Sequence, residues 1–260
     1  MTSALHTVSR GTAGTALLAL HGAYSTGAEP LGFLEPALGG HRADLRRIYP
    51  DLPGHGDSPA AGVASSRAAV DALERLVDEL VGDEPLLVLG HSFGVHLAQG
   101  LAARRPEQVR GLALICPLVP DDHEAEPHTV VTDAVARDAL GEAARAEFEG
   151  YFVVRTPETL RRFQDAVAPA MGRYDGDAVD AIMTEWQLQP DPRAVPFAHP
   201  SLVMVGRHDS TAGQRQHRAL VEQHPGATVV VAADAGHALP HERPALFAAA
   251  VADWLQRAGA

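Results

Sequence analysis

The chain of 260 residues contains no lysine, so arginine supplies all 21 of its basic side chains. Without a lysine amine, the chain cannot form a Schiff base, an internal pyridoxal phosphate linkage or a Walker-type phosphate loop. Its single cysteine, Cys116, excludes an intrachain disulfide and a cluster of thiolates. A chain without a possible intrachain disulfide fits a reducing compartment. Because Cys116 ends an apolar run, we expect its thiol to be buried.

Long apolar runs and blocks of basic residues are also missing. No segment reaches the ~20 apolar residues that a membrane-spanning helix requires. The first 22 residues carry one arginine and a five-residue apolar run, which is too short for a signal-peptide core. The net charge is −12, and this balance disfavours nucleic acid and anionic membranes as partners, since both bind clustered cations. We therefore expect a cytoplasmic protein, either a monomer or a homodimer.

Short apolar runs alternate with helical patterns along most of the chain. The apolar runs are residues 16–20, 45–50, 86–90, 112–116, 202–206 and 228–232. Amphipathic segments with apolar residues three and four positions apart occur at 64–81, 93–104, 213–224 and 243–257. This alternation predicts the α/β class, with a mostly parallel central sheet that is covered by helices on both faces.

Residues 117–199 interrupt this alternation and contain no good strand pattern. Their helical patterns lie near 141–150, 157–168 and 177–187. We predict an all-helical insertion at the carboxyl edge of the sheet, where it would form a cap over a site. The core domain would then comprise residues 1–116 and 200–260. The alternative is a helical layer that only covers the core.

Serine, aspartate and histidine each follow a predicted strand, at the edge where open α/β sheets bind ligands. Ser92 stands in the sequence GHSFG, between an apolar run and a helical pattern. The two glycines permit a sharp turn that exposes the serine hydroxyl, and the following helix directs N–H groups towards negative charge. This context predicts that Ser92 is a nucleophile rather than an ordinary turn serine.

A serine hydroxyl needs a base to remove its proton, and His237 is the predicted base. It lies in a loop marked by glycine, directly after the last predicted strand. The other histidines near predicted strand ends are less suitable, because His91 and His96 flank the nucleophile and are expected to be packed. His241 is interpreted as a polar group at a helix start, and His208 directly precedes the predicted acid.

Asp209 is that acid, predicted to orient the imidazole and to stabilise the imidazolium ion. It stands in GRHD, after the apolar run at 202–206. Asp121, Asp122 and Asp234 remain alternatives for this role, since each also follows an apolar run.

An acyl-transfer site also needs N–H donors for the oxyanion. We predict the backbone N–H groups of Ala23 and Phe93, which follow the first predicted strand and the nucleophile. Candidates for contacts with the substrate are Tyr24, His91, Trp186, Phe163, Phe152, Tyr151, Arg155 and Arg161. An arginine in the cap would bind a substrate carboxylate through two hydrogen bonds. The alternative for each aromatic candidate is packing among the cap helices.

The motifs LHG, DLPGHGDS, GHSFG, GRHD and AGHALPHERP occur in the order and spacing typical of the α/β-hydrolase superfamily. The chain resembles this superfamily over residues 15–116 and 200–257. Within the superfamily it is most similar to the serine-nucleophile meta-cleavage-product hydrolases and the prolyl-iminopeptidase-like group. The resemblance implies an α/β-hydrolase fold with an inserted cap. It disfavours haloalkane dehalogenase and epoxide hydrolase activity, because those relatives carry aspartate in place of Ser92.

We predict a serine hydrolase with a Ser-His-Asp triad that forms an acyl-enzyme with a small carbonyl substrate. Its substrate would be an ester, a thioester, a lactone or, as the resemblance implies, a diketone whose carbon–carbon bond is cleaved. We expect no cofactor and no metal, because no G-x-G-x-x-G follows a strand and no H-E-x-x-H occurs. The alternatives are a non-hydrolytic acyltransferase, lyase or cyclase and a protein that only binds a ligand in the pocket.

Overall fold

The computed structural model describes residues 5–39, 44–118, 120, 127–136, 139–213 and 216–260. The strands are β1 (Thr7–Arg10), β2 (Thr15–Leu20), β3 (Leu45–Pro50), β4 (Leu86–His91), β5 (Val109–Ile115), β6 (Thr132–Asp133), β7 (Val154–Arg155), β8 (Ser201–Gly206) and β9 (Ala227–Ala232). The helices are α1 (Ala28–Ala37), α2 (Ser66–Leu80), α3 (Phe93–Arg104), α4 (Glu142–Tyr151), α5 (Pro157–Arg162), α6 (Gly176–Thr184), α7 (Gln216–Val221), α8 (Leu239–Glu242) and α9 (Pro244–Arg257).

Seven of these strands form one sheet in the order β1-β3-β2-β4-β5-β8-β9. Strand β1 pairs antiparallel with β3, and the other pairs in this sheet are parallel. The predicted α/β class is therefore confirmed, and the six predicted apolar runs form β2, β3, β4, β5, β8 and β9. The apolar pattern does not predict β1, because this edge strand, TVSR, contains one apolar residue and is only partly buried.

Helices cover both faces of the sheet, as the alternation along β2 illustrates. Leu18 points to the face covered by α2 and α3, where it belongs to the same apolar cluster as Leu73. Leu17 points to the opposite face, and its apolar cluster includes Phe247 and Trp254 of α9. Successive residues of a strand face opposite sides, so a strand buried on both sides must be apolar throughout.

Local sequence signals set the ends of the helices. Ser65 caps α2, because its hydroxyl accepts a hydrogen bond from the N–H of Ala68 at 3.3 Å. Gly82 follows the end of α2 with a φ of 64°, a conformation that glycine adopts easily. None of the helices in the described part of the chain has the length and apolar character to cross a bilayer.

The segment between β5 and β8 contains α4, α5, α6 and a π-helical turn at Phe163–Val167. It also contains β6 and β7, which pair in parallel. The prediction that this insertion is all-helical is therefore wrong in one detail. These strands have two residues each, and they are held by a backbone contact in which the N–H of Val131 donates to the carbonyl of Val153 at 2.8 Å. Two residues are too few to produce a sequence pattern.

Candidate active site

Ser92 occupies the turn between β4 and α3 with an unusual backbone conformation, at a φ of 55° and a ψ of −121°. A side chain at positive φ is strained and persists only where the surrounding structure holds it. The two neighbouring glycines make the turn possible. A Cβ at Gly94 would lie 2.6 Å from the carbonyl oxygen of His21, and one at Gly90 would clash with the backbone of Gly94. The N–H of Ser92 donates to the carbonyl of Ile115 at 2.9 Å, which ties the turn to β5.

His237 and Asp209 form a buried hydrogen-bonded pair. Nδ1 of His237 lies 2.8 Å from Oδ2 of Asp209, so the proton on this nitrogen is donated to the carboxylate. The other carboxylate oxygen accepts hydrogen bonds from the N–H groups of Thr211, at 3.0 Å, and Ala212, at 2.8 Å. This arrangement fixes the imidazole ring and leaves Nε2 to accept a proton.

The two members of this pair shift each other's pKa. Burial alone would raise the pKa of Asp209, but the charge of His237 and its hydrogen bond hold that pKa below its usual range. Burial alone would lower the pKa of His237, but the Asp209 carboxylate raises that pKa above its ordinary value. Each shift favours the charged form, as expected for an ion pair in a water-poor site.

Ser92 and His237 line the same cavity, whose volume is about 800 Å³. The loop after β2 contributes Ala23 and Tyr24 to the lining. The segment between β5 and β8 contributes Tyr151 from α4 and several residues between α5 and α6. The cavity therefore lies between the carboxyl edge of the sheet and the inserted segment. The predicted oxyanion donors, Ala23 and Phe93, are among the lining residues.

The loop that contains Ala23 is held by two histidines. Nδ1 of His21 lies 2.7 Å from the carbonyl oxygen of Gly22, and its Nε2 accepts a hydrogen bond from the N–H of Leu52 at 2.9 Å. Nε2 of His55 accepts from the N–H of Tyr24 at 3.2 Å. Burial lowers the pKa of His21 to about 3 and also lowers that of His55, so both rings stay neutral and can accept these hydrogen bonds. Sequence reasoning missed both residues, although LHG and GHG contain them.

Of the predicted substrate contacts, Tyr24, His91 and Tyr151 line the cavity. The Tyr24 hydroxyl donates to Asp180 at 2.9 Å, at the surface of the molecule. His91 is buried, and its Nε2 lies 3.1 Å from the carbonyl oxygen of His237. Burial lowers the pKa of His91 to about 4, so its ring is neutral and its Nε2–H donates to that carbonyl.

The predicted contacts at Phe163 and Trp186 are corrected by the structure, because neither residue is among the described residues that line the cavity. Phe163 is fully buried, and it packs with Phe148 and Phe152 in a separate apolar cluster. The ring of Trp186 packs edge-on against that of His96, with 5.0 Å between the ring centroids. Phe163 therefore packs within the inserted segment, which was the alternative interpretation for the aromatic candidates. Trp186 instead packs this segment against helix α3 of the core.

The two predicted arginine contacts are also directed elsewhere. Arg155 donates to the carbonyl of Glu149 at 2.8 Å and to the carboxylate of Asp133 at 3.2 Å, within the inserted segment. Arg161 is 59% exposed and pairs with Glu158 at 2.6 Å. Neither guanidinium group belongs to the described lining of the cavity.

The competing acids and bases have other partners where the structure describes them. Asp234 pairs with Arg243, and Asp121 and Asp122 lie outside the described residues. Nε2 of His96 accepts from the N–H of Leu188 at 2.9 Å. Nε2 of His241 lies 3.7 Å from a buried carboxylate oxygen of Glu29. His241 belongs to the short helix α8, so the helical structure after His237 begins at Leu239, before the amphipathic segment predicted at 243–257.

Glu242 joins the inserted segment to the histidine loop, and sequence reasoning missed it. One of its carboxylate oxygens accepts from the N–H groups of Val153 and Val154, at 2.7 and 2.9 Å. The other accepts from the N–H of Gly236 at 2.6 Å. Because Gly236 directly precedes His237, this buried carboxylate fixes the position of the loop that carries the imidazole.

One group of potential metal ligands overlaps the site. Ligand atoms of Cys116, Asp209 and His237 all lie within 4.8 Å of one another. Two of these residues are already bonded to each other, and burial raises the pKa of the Cys116 thiol well above its usual range. A neutral, buried thiol is a poor metal ligand, so this group does not suit a metal ion.

The model of the alpha/beta hydrolase family matches residues 17–250 of the chain. The chain belongs to this family. It is 34% identical to lipase LipV of Mycobacterium tuberculosis over 222 aligned residues. The aligned region covers 82% of this chain and 85% of the lipase. It is 28% identical to a 2-succinyl-6-hydroxy-2,4-cyclohexadiene-1-carboxylate synthase of Enterobacter sp. over 232 aligned residues. This aligned region covers 84% of this chain and 85% of the synthase.

Solved structures agree with the fold of this α/β hydrolase. An alpha/beta superfamily hydrolase from Oenococcus oeni superposes with a TM-score of 0.90 at 23% identity, over 98% of this chain and 96% of that one. A thermophilic esterase from Thermogutta terrifontis gives a TM-score of 0.71 at 25% identity, over 98% and 93% of the two chains. The predicted superfamily is therefore confirmed, and the predicted subgroup stays a prediction.

Proposed function

We propose that this α/β hydrolase is a serine hydrolase that cleaves esters of small carboxylic acids through an acyl-enzyme. One observation supports the proposal most directly: Ser92, on its strained turn, and His237, which is paired with the buried Asp209, line the same cavity. Relatives named as a lipase and as methyl ester esterases support ester cleavage. A cavity of about 800 Å³ is large enough for a small ester.

In the proposed mechanism, Nε2 of His237 removes the proton from the Ser92 hydroxyl as its oxygen attacks the ester carbonyl. The carbonyl electrons move onto oxygen, and the N–H groups of Ala23 and Phe93 stabilise the oxyanion. The carbon–oxygen bond to the leaving group then breaks, and His237 gives its proton to the departing alcohol. Water, deprotonated by His237, releases the acid and restores Ser92. Asp209 keeps the imidazole in the required tautomer throughout.

We infer that residues 117–199 act as a cap on a core formed by residues 1–116 and 200–260. The segment supplies one wall of the cavity, including Tyr151. Its connection to the histidine loop through Glu242 supports a role in holding the site closed around a substrate. Such a cover excludes water and commits the bound substrate to reaction. The partner of this protein would be a small molecule.

A non-hydrolytic reaction is the second candidate, because the synthase from Enterobacter sp. matches the chain over a similar span. An acyltransferase, lyase or cyclase would use the same nucleophile and base but would not deliver the acyl group to water. The cleavage of a carbon–carbon bond, as in the predicted subgroup, would also use this nucleophile and base. Turnover of simple esters separates the non-hydrolytic reactions from ester hydrolysis.

The test is intact-mass spectrometry after treatment with a fluorophosphonate, with turnover of 4-nitrophenyl acetate and butyrate measured in parallel. We expect one adduct per chain, no adduct on the Ser92→Ala variant, and release of nitrophenolate by the wild-type protein. A wild-type adduct without turnover would favour the non-hydrolytic candidate. No adduct on the wild-type protein would contradict an activated serine and favour a protein that only binds a ligand.

The pH dependence of the reaction follows from the pKa of His237. The imidazole acts as a base only when it is neutral, so kcat/KM should rise with pH through the pKa of the free enzyme. Because Asp209 raises that pKa from 6.5, we expect the midpoint of the acid limb to lie above 6.5. The profile is measured with 4-nitrophenyl butyrate at the isosbestic wavelength of nitrophenol. A midpoint at or below 6.5 would contradict the role given to the pair.

A further inference from the structure

The cavity that holds Ser92 is lined by carboxylates and by no arginine among its described residues. Glu29 and Glu147 both belong to the lining, and the chain contains no lysine. Asp180 adds a third carboxylate beside the lining residue Tyr24, whose hydroxyl donates to it at 2.9 Å. The charged side chains around a bound substrate are therefore predominantly acidic.

Of these carboxylates, Glu29 is expected to have the strongest electrostatic interaction with a charged substrate. It is 3% exposed and lies in a water-poor environment, where charges are screened least. Its oxygens accept hydrogen bonds from the hydroxyl groups of Ser25, at 2.5 Å, and Tyr151, at 2.6 Å. Both donors are uncharged, since burial raises the pKa of Tyr151 well above its usual range. These two hydroxyl groups solvate the carboxylate and carry no charge of their own, and Nε2 of His241 lies 3.7 Å from the same side chain.

The protonation state of Glu29 also supports a negative charge in the cavity. Burial alone would raise the pKa of this carboxyl group, but the neighbouring His241 and the Ser25 hydroxyl outweigh burial and hold the pKa below its usual range. Glu29 is therefore ionised near neutral pH. Glu29 therefore keeps its negative charge under the conditions in which His237 acts as a base.

The arginines near the lining residues in sequence have other partners. Arg145, two residues before Glu147, donates to the carbonyl of Leu140 at 3.4 Å. Arg173 stands between the lining residues Gly172 and Tyr174, and it pairs with Asp57 at 2.6 Å. Arg162 donates to the carbonyl of His241 at 2.7 Å and pairs with Glu158 at 2.8 Å. A substrate carboxylate in the cavity would therefore find no guanidinium group of these residues free to neutralise it.

We propose that the cavity selects esters with an uncharged acyl chain and rejects those that carry a carboxylate, phosphate or sulfate group, with Glu29 and Glu147 as the residues that determine this specificity. The selection rests on the proposed ester hydrolysis. Like charges repel strongly where little water separates them, so we expect an anionic substrate to lose about tenfold or more in kcat/KM.

Three esters of equal acyl length test the proposal: 4-nitrophenyl hexanoate, mono-4-nitrophenyl adipate and 4-nitrophenyl 6-aminohexanoate. They end in a methyl group, a carboxylate and an ammonium group, and all release nitrophenolate. We expect kcat/KM to be at least about tenfold lower for the adipate than for the hexanoate, with the 6-aminohexanoate well above the adipate. The ammonium ester separates two effects. Repulsion by the carboxylates of the cavity would slow only the adipate, whereas the general cost of placing a charge in the cavity would slow both charged esters.

Variants locate the effect in the named residues. Glu29→Gln and Glu147→Gln should each raise the ratio of adipate to hexanoate kcat/KM, and Glu29→Gln should raise it more because Glu29 is buried. The ratio is internal to each variant, so a partial loss of folded protein does not change it. Glu147 is exposed, and its variant should fold even if Glu29→Gln does not.

Glu84→Gln is the control. This carboxylate is 65% exposed and precedes β4, at the opposite edge of the sheet, so the ratio of adipate to hexanoate kcat/KM in this variant should stay that of the wild type.

Equal kcat/KM for the adipate and the hexanoate would overturn the selection while leaving ester hydrolysis intact. Equal losses for the two charged esters, or an unchanged ratio in both the Glu29→Gln and Glu147→Gln variants, would also overturn it. If the wild-type protein hydrolyses none of the three uncharged esters, the acetate, the butyrate and the hexanoate, the proposed function is overturned and the selection with it.

Discussion

Replacement of Ser92 by alanine is expected to lower kcat for 4-nitrophenyl butyrate by about four to six orders of magnitude, because no other group can form the acyl-enzyme. The fold should be retained, since the change removes one oxygen from a half-buried side chain and keeps its Cβ. The N–H of residue 92 can still donate to the carbonyl of Ile115. The measurement is steady-state turnover, with circular dichroism and urea unfolding to confirm the native state.

A matched substitution in an exposed part of the chain controls for this loss. Ser9→Ala removes the same oxygen from the exposed strand β1, and it should leave kcat within about twofold of the wild type, since exposed substitutions rarely perturb a distant site. If Ser92→Ala retained more than about a hundredth of the wild-type kcat, the acyl-enzyme mechanism would be ruled out, because loss of this nucleophile costs far more.

Replacement of Asp209 by asparagine is expected to lower kcat by about 10⁴ through the tautomer of His237. The oxygen of the new amide can still accept from Thr211 and Ala212, which keeps the loop in place. Its NH₂ group would then face Nδ1 of His237 and donate to it. The imidazole proton would move to Nε2, the atom that must accept the proton of Ser92. The variant should therefore fold normally and fail at the chemical step.

Two comparisons test this explanation. Asp234→Asn should lower kcat by less than about threefold, because Asp234 pairs with Arg243 at the surface and such pairs contribute little. In Asp209→Asn, the pKa of His237 should fall, so the residual activity should show an acid limb at lower pH than in the wild type. A loss under about tenfold in Asp209→Asn would instead favour Asp121, Asp122 or Asp234 as the acid.

The sheet and most helices could be predicted because their signals are local. Strand β2 is apolar after Thr15 and strand β4 is apolar up to Gly90 and His91, and the residues of α2 alternate between a buried and a charged face. The GHSFG motif also predicts its own turn, since the positive φ at Ser92 requires glycine on both sides. These features depend on residues that are neighbours in the chain.

Other parts of the site depend on where side chains point after the chain has folded. His237 and Asp209 are separated by 28 positions, whereas Asp234 is three residues from His237 and pairs with Arg243 instead. Proximity in the sequence therefore does not identify the carboxylate that contacts His237. The contact of Tyr151 with Glu29 spans 122 positions, and no pattern around Glu29 distinguishes it from an ordinary acid in the first turn of a helix.

The sequence by itself determined the α/β class, the superfamily and the turn that carries Ser92, because backbone periodicity and glycine sterics act over a few residues. Only the tertiary structure decided that Glu29 lines the cavity, that Phe163 packs away from it and that Arg155 binds other parts of the inserted segment. The physical reason is that burial and pairing of a side chain depend on contacts between distant segments. The charge of the cavity, and with it the proposed choice of substrate, is a property of those contacts.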